Sequence, residues 1–414
     1  MKKFKVLHVS SALSWRGGEQ QIVNLIDGLS IINENIEQMI FCAQESAIEK
    51  YSVSHKINFE SAKKKSAIDL FYLSALSRVI KSYQPDIIHV HDSHAHTACV
   101  LVHLFIFSKI PIVLHRRVDF PIGKSFFSNY KYKYSGIKRI ITVSKAIKKI
   151  IKPNVKAPIN VIYSSWRKSL IDESKLINLR KELKLPNSTK LIGNIAALTD
   201  HKDYQTFVKT AALIIKKDLN IHFIIIGDGE LKEQIESLIS SLNLEENIHL
   251  LGFREDVPEI MKNLDIFFMP SKMEGLGSIL YLAFAFKIPV VSTNAGGIPE
   301  LVKDKETGYT CEIGNSEELS HTLAEIEKRA QNFKISERVA TATSHPDLIK
   351  VIAAIRFQRV ILALIQAGIL PLDPSKWQFE IFCEDFSSNA VFKLATSDLI
   401  KTKSSIVLVS ISTS

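Results

Sequence analysis

The sequence predicts an α/β protein of two domains, each a parallel sheet covered by helices. Three observations point there. Apolar runs of strand length alternate with helix-length segments through most of the chain. Glycine-bearing loops follow several of the strands. With 414 residues the chain is long enough for two domains of ordinary size, each with its own core.

Residues 4 to 10 (FKVLHVS) read as a buried strand, followed by a loop with Gly17 and Gly18 and a helix from about Glu19 to Ser30. A strand near Met39 to Ala43 and a helix from about Asp69 to Tyr83 come next; Pro85 stops that helix. DIIHVHD is then a strand whose His89 and His91 share one face, with His94 and His96 in the loop beyond. Histidines so spaced suit either a metal or a polar wall of a cleft. PIVLHRRVDFP is a further strand, and its end carries His115, Arg116 and Arg117, with Asp119 placed to orient an arginine there. The aromatic, basic FFSNYKYKYSGIKR precedes a strand IITVS and a helix from Lys145.

Residues 166 to 186 read as the linker, with a charged helix over Ser174 to Leu185. The second domain opens at KLIGNIAALTDHKDYQ, a strand, a loop with Lys202 and a helix. IHFIIIGDGELKEQI gives a strand, a turn with Gly227 and a helix from near Glu230. IHLLGFREDVPEIM gives a strand, a loop to Arg254 and a helix capped by Asp256 with Pro258 in its first turn.

The most informative stretch is Leu264 to Leu301. A strand (Ile266 to Met269) breaks at Pro270, a loop gathers Glu274, Gly275 and Gly277, a helix-length apolar segment and a strand (Pro289 to Ser292) come after it, and Asn294 to Gly297 opens another helix. In parallel sheets ligands collect beyond the carboxyl ends of strands, where both loops lie. The two glycines let backbone approach an anion such as a diphosphate, and the helix end next to them attracts one. Glu274 would repel phosphate, so it suits hydroxyl groups, as on a sugar.

This stretch resembles the C-terminal half of the family 4 retaining glycosyltransferases of the GT-B fold, two Rossmann-like domains facing across a cleft. Glu274 matches the family's first acid. Pro289-Val290-Val291 matches its next strand and Gly296-Gly297-Ile298-Pro299-Glu300 its next turn, with GDG at Gly227 and GF at Gly252 earlier in the chain. The family's second acid, eight residues after the first, is Leu282 here, and its loop arginine is Ala197. The resemblance covers about residues 4 to 328. It implies domains over 1–165 and 187–328, leaving 329–414 as a divergent segment in which a helical pattern over Leu348 to Ile369 finds no match.

The resemblance implies transfer of a sugar from a nucleotide-diphosphate sugar, with retention and with no metal or other cofactor. Donor contacts would come from Gly17, Gly18, Lys202, Gly227, Arg254, Gly275, Leu276, Gly277 and Ser278; Glu274, His91, His115 and Arg117 would act at the reacting sugar. The acceptor would be a saccharide or a lipid-linked sugar in surface polysaccharide or lipopolysaccharide assembly. Two other readings stay open. One is an impaired relative that only binds sugar nucleotide, motivated by Leu282 and Ala197, and the other is a nucleotide-sugar epimerase of the same fold.

Charge is uneven. The net +10 is accounted for between His115 and Lys156, where twelve Lys or Arg meet one acid, Asp119. Such a segment suits peripheral contact with an anionic bilayer or a phosphorylated acceptor. Nucleic acid is not expected, because no reader motif accompanies the charge. No run reaches the roughly 20 apolar residues of a membrane helix, the longest being Cys99 to Phe107 and Ile361 to Leu372. The four scattered cysteines fit a reducing compartment, so the expected place is the cytoplasm, at or near the inner face of the membrane.

Overall fold

The computed structural model describes residues 3–32, 35–66, 68–123, 125–164, 177–217, 220–330, 377–382 and 391–396. The first domain runs β1 (Phe4–Val9), α1 (Gly17–Ile32), β2 (Ile36–Ala43), α2 (Ala47–Ser54), β3 (Phe59–Ala62), α3 (Leu70–Tyr83), β4 (Ile87–Val90), α4 (Ser93–Phe105), β5 (Ile112–Arg116), α5 (Phe126–Lys133), β6 (Ile137–Thr142), α6 (Lys145–Ile151) and β7 (Ile159–Val161). The second runs α7 (Leu179–Glu182), β8 (Lys190–Ile195), α8 (Tyr204–Ile215), β9 (Ile221–Ile226), α9 (Lys232–Ser241), β10 (Ile248–Leu250), α10 (Val257–Asn263), β11 (Ile266–Met269), α11 (Leu280–Ala285), β12 (Val290–Thr293), β13 (Tyr309–Cys311) and α12 (Ser316–Ala330). Beyond them β14 (Trp377–Phe382) and β15 (Val391–Thr396) pair antiparallel. The Leu348 to Ile369 pattern lies outside the described residues.

Both large sheets are parallel throughout, with strand orders 3-2-1-4-5-6-7 and 10-9-8-11-12-13. These are two Rossmann-like domains of the GT-B type. Strand order reverses between β1 and β4 in one sheet and between β8 and β11 in the other, and a crevice opens beyond the carboxyl ends at each such point. The residues after β1, β4, β8 and β11 are therefore the ones the fold places around a ligand.

Local chemistry sets these boundaries. Asp69 caps α3 by accepting from the Phe71 and Tyr72 amides, and Gln84 ends it in the left-handed region (φ 50°) before Pro85. Asp92 caps α4 through the His94 and Ala95 amides, and its carboxylate also receives Ser11 from the loop after β1. The cap thus ties the two switch-point strands together.

The structure differs from the sequence reading in three places. Ile177, Leu179, Leu183 and Leu185 pack on the second domain's core, so the chain has already joined that domain there, and α7 is a single turn rather than a helix over Ser174 to Leu185. Residues 165–176 lie outside the described residues. Asp256 precedes α10 but makes no side-chain cap, because its carboxylate is taken by Arg254. Gly297 opens only a 3-10 turn (Ile298–Glu300).

Among the described residues no helix is long and apolar enough to cross a membrane. Cys42, Cys99 and Cys311 are free and buried.

Candidate active site

The two domains meet through the loop after β11. Leu276, 3% exposed, sits in the apolar cluster built otherwise from first-domain residues such as Val143 and Ile147, and Tyr281 and Leu301 pack on the same cluster. This Leu was expected at the donor; its side chain instead anchors one domain on the other. Its neighbour Gly275 has no room for a side chain, since a β-carbon there would collide with the Arg117 carbonyl oxygen of the first domain. A β-carbon on Gly17 would lie 2.9 Å from the Ser278 hydroxyl, so Gly17 and Gly18, which open α1 rather than lying in the loop before it, face the Gly275–Ser278 turn directly. Gly18 faces the Arg117 side chain from the same end of α1, a β-carbon there lying 3.9 Å from its Cδ.

Three contacts close the seam. The Glu300 carboxylate accepts from the Lys145 and Ala146 amides at the start of α6, each at 2.9 Å, and from the Tyr163 hydroxyl at 2.8 Å. The Asp119 carboxylate accepts from the Glu274 amide, and burial raises its pKa above the usual carboxylate range. Phe120 meets His201 edge-on, ring centres 5.7 Å apart. Asp119 was expected to orient an arginine, and among the described residues it forms no ion pair with one. Arg116 is buried and reaches the Tyr132 hydroxyl and the Phe120 carbonyl instead.

On the second-domain side, Lys202 ends a 3-10 turn (Asp200–Lys202) in the loop after β8, and its ammonium is ion-paired with the Glu274 carboxylate. Both side chains are mostly covered. Asp203, in the left-handed region (φ 55°), then caps α8 through the Thr206 amide and hydroxyl, which fixes where Lys202 leaves the chain. The Gly227 turn lies beside this loop: at φ 139° a β-carbon on Gly227 would strike the Ala196 carbonyl, so only glycine fits. Gly277 also has positive φ, 78°, in the turn that leads into the short helix α11. Arg254 donates to both oxygens of Asp256 and to Glu182, which fixes its guanidinium beside the Gly252 loop.

On the first-domain side, Arg117 donates from Nη1 to the His91 carbonyl (3.1 Å) and from Nη2 to His91 Nδ1 (3.1 Å) and His115 Nδ1 (3.2 Å). Burial lowers the Arg117 pKa to about 10, with Glu19 and Asp92 opposing the shift. Burial also keeps His91 and His115 well below the usual imidazole range, with Arg117 and the neighbouring imidazoles adding to the effect. His91 is joined by a residue that sequence reasoning missed. His8 on β1 is in register with His89 on β4, and the His8 ring lies within hydrogen-bond reach of His91. Parallel pairing alone signals this, because His8 lies near the end of an apolar strand just as His89 does. His94 and His96 do not join them. His94 is exposed on α4, and His96 is buried against the Lys131 carbonyl.

Glu19, in the first turn of α1, is buried with its carboxylate pKa raised by desolvation, and accepts from the Arg16 amide at 3.0 Å. The basic segment divides. Arg116 and Lys131 are buried, and Lys131 bonds Ser93 and Thr97. Lys133, Lys138, Lys145, Lys149, Lys152 and Lys156 keep contact with solvent.

Comparison with known proteins agrees with this architecture. The chain is 28% identical over 258 residues to N-acetyl-alpha-D-glucosaminyl L-malate synthase of Bacillus anthracis, covering 60% of this chain and 67% of the relative. It is 25% identical over 274 residues to UDP-Gal:alpha-D-GlcNAc-diphosphoundecaprenol alpha-1,3-galactosyltransferase of Escherichia coli, covering 62% and 70%. Against three of its relatives the chain spans from 49% to 67% of their length. The crystal structure of Anabaena HepE in complex with UDP-glucose superposes with a TM-score of 0.73 at 20% identity, over 86% of this chain and 99% of that one, a likeness of fold. The Glycosyltransferase Family 4 profile matches residues 15–165 and the profile of glycosyl transferases group 1 matches residues 177–343; the chain belongs to this family of glycosyltransferases.

Proposed function

We propose that the chain transfers a sugar from a nucleotide-diphosphate sugar to a saccharide or lipid-linked acceptor, with retention and without a metal, in the building of surface polysaccharide or lipopolysaccharide. The observation that carries this reading is the Lys202–Glu274 pair beyond β8 and β11, next in the chain to Gly275, which packs on the Arg117 carbonyl of the other domain. An ammonium and a carboxylate at one sheet's switch point suit the two halves of such a donor, diphosphate and sugar hydroxyls. The names of the Escherichia coli relative and of the UDP-glucose complex support the donor class.

In this mechanism the donor separates the pair. Lys202 turns to the diphosphate, whose charge grows as the glycosidic bond breaks, and Glu274 takes sugar hydroxyls. The sequence suggested a full helix end for the diphosphate, whereas α11 spans only Leu280–Ala285, so charge stabilisation falls chiefly to Lys202. Arg117, His91 and His115 line the acceptor side. The packed seam excludes water that would hydrolyse the donor.

Peripheral contact with an anionic membrane is part of the proposal. Phe126 is 86% exposed on α5, with Phe127 and Tyr130 beside it and Lys133 in the same helix. Aromatic and basic side chains together suit the interface where a lipid-linked acceptor is held.

The test is thermal-shift screening with UDP, GDP, ADP and their common sugars in EDTA, on wild type, Glu274→Ala and Lys202→Ala, and then transfer assays with the stabilising donor. Selective stabilisation by one nucleotide, lost in Lys202→Ala, and the added stabilisation by its sugar derivative, lost in both variants, are expected. Donor turnover without any acceptor, giving an epimerised sugar, would replace this reading.

A further inference from the structure

His8 and Gln38 lie on the strands β1 and β2, and they continue the row of polar side chains that begins at Arg117. The proton positions along that row are set by its ends. Gln38 Nε2 donates to the Ile26 carbonyl at 2.9 Å and the Ser30 hydroxyl at 3.0 Å; a carbonyl only accepts, so the amide is oriented and its Oε1 faces His8 Nε2 at 3.1 Å. His8 Nε2 therefore carries the hydrogen. Burial holds His8 neutral, with its pKa lowered to about 4, so its Nδ1 is bare and accepts from His91 Nε2 at 3.1 Å. His91 Nδ1 is then bare as well. It faces Arg117 Nη2, a group that can only donate. The acceptor-only amide oxygen at one end and the donor-only guanidinium at the other demand the same arrangement independently.

We propose that Gln38 and His8 are positioning residues, which hold His91 in the tautomer whose bare Nδ1 receives Arg117 and so keep that guanidinium fixed against the cleft loops. In the opposite tautomer His91 would present an N–H to the guanidinium, two donors would face each other, and Arg117 would lose this bond and keep only those to the His91 carbonyl and His115. A cation held in place beforehand needs no reorganisation when charge develops. What Arg117 then does rests on the sugar-transfer reading; the proton arrangement does not.

The nitrogens of His8, His89 and His91 also lie within 4.8 Å of one another, a spacing open to a metal ion. The two uses exclude each other. A metal on His91 Nε2 needs that nitrogen bare, while Arg117 already claims Nδ1, and a neutral imidazole has one bare nitrogen.

The test is long-range 15N–1H spectroscopy of the histidine-labelled full chain, with His8 and His91 assigned by single substitution. Wild type is expected to show both rings as neutral Nε2–H tautomers. Gln38→Lys, which can only donate, is expected to move both rings to the Nδ1–H form and to lower kcat by at least about tenfold with donor KM within about twofold. Gln38→Glu, which keeps an acceptor, restores the wild-type pattern. An Nδ1–H or imidazolium form of either ring in wild type overturns the proposal without any variant having to fold. So do unchanged tautomers in folded Gln38→Lys, or stoichiometric zinc binding that shifts both rings. If the tautomers behave as expected and wild type transfers no sugar, the relay stands and the functional reading falls.

Discussion

The Lys202 ammonium and the Glu274 carboxylate are ion-paired across the switch point of the second sheet, one from the loop after β8 and the other from the loop after β11. Each holds the other where a donor would enter. Lys202→Ala is expected to lower kcat/KM by about 10²–10³ through lost charge stabilisation, and Glu274→Gln to weaken sugar-dependent binding while leaving nucleotide binding nearly intact. Titration with the stabilising nucleotide diphosphate and with its sugar derivative separates the two effects. Equal losses for both ligands in Glu274→Gln would remove this carboxylate from the sugar.

Gly275 tests the seam. Because a β-carbon there collides with the Arg117 carbonyl, Gly275→Ala must push the two domains apart. Transfer should fall by about tenfold or more while the second domain still binds nucleotide, since a misplacement near 1 Å is costly to catalysis. Small-angle scattering should show a larger radius of gyration. An unchanged radius with full activity would mean that the contact yields at little cost.

Glu300 caps the first helical turn of α6 from the opposite domain and also receives Tyr163. Glu300→Ala leaves two amides without this acceptor and should cost about 1–2 kcal/mol, measured by denaturant unfolding. Tyr163→Phe should cost less, because it removes one of the three bonds. If Glu300→Ala unfolds as wild type does, the carboxylate is not holding the domains together.

Histidine burial gives stability a direction in pH. His8 is lowered to about 4, His96 to about 3 and His103 to about 4, each by burial first, and His89, His91 and His115 are lowered as well. Between these values and the unfolded value near 6.5 the unfolded chain binds more protons, so stability is present above about pH 6.5 and is lost as pH falls toward 4. His8 alone contributes on the order of 3 kcal/mol over that window. Glu19 and Asp119, with raised values, oppose this more weakly near the bottom of the range. Urea midpoints measured from pH 7.5 to 4.5 should fall steadily, and His8→Asn should flatten the slope. A midpoint independent of pH would show that these rings take up protons in the native state as readily as in the unfolded chain.

The strands and their order of appearance were legible because parallel strands buried on both faces read as unbroken apolar runs. Gly275, Glu274 and Lys202 were legible because each lies in the loop beyond such a run. What hid were relations between distant residues. Nothing local marks Leu276 as a plug in the other domain's core, Asp119 as a partner of the Glu274 amide, or Gln38 as the far end of a row ending at Arg117. Arg116 and Lys131 looked like surface charge because sequence records charge and not the carbonyls and hydroxyls that satisfy it inside.

Leu282 decides how the missing second acid is to be understood. By position it stands for the carboxylate that family members place eight residues after the first, and restoring an acid would be expected to restore donor affinity. The structure argues otherwise, since Leu282 is 1% exposed within the second domain's core, beside Leu280, Ala283 and Phe284 on α11. A carboxylate there would be desolvated in an apolar cluster, at a cost of several kcal/mol. Leu282→Glu should therefore lower the melting temperature markedly and gain no affinity for the sugar nucleotide. Ala197 differs, being half-buried in the loop after β8 beside the Gly227 turn, so Ala197→Arg can extend toward a diphosphate and should tighten binding of the stabilising nucleotide diphosphate by about tenfold, worth about 1.4 kcal/mol. Calorimetric titration of both variants with that nucleotide decides the matter. A folded Leu282→Glu that binds donor more tightly would show that α11 turns to present this position to the cleft.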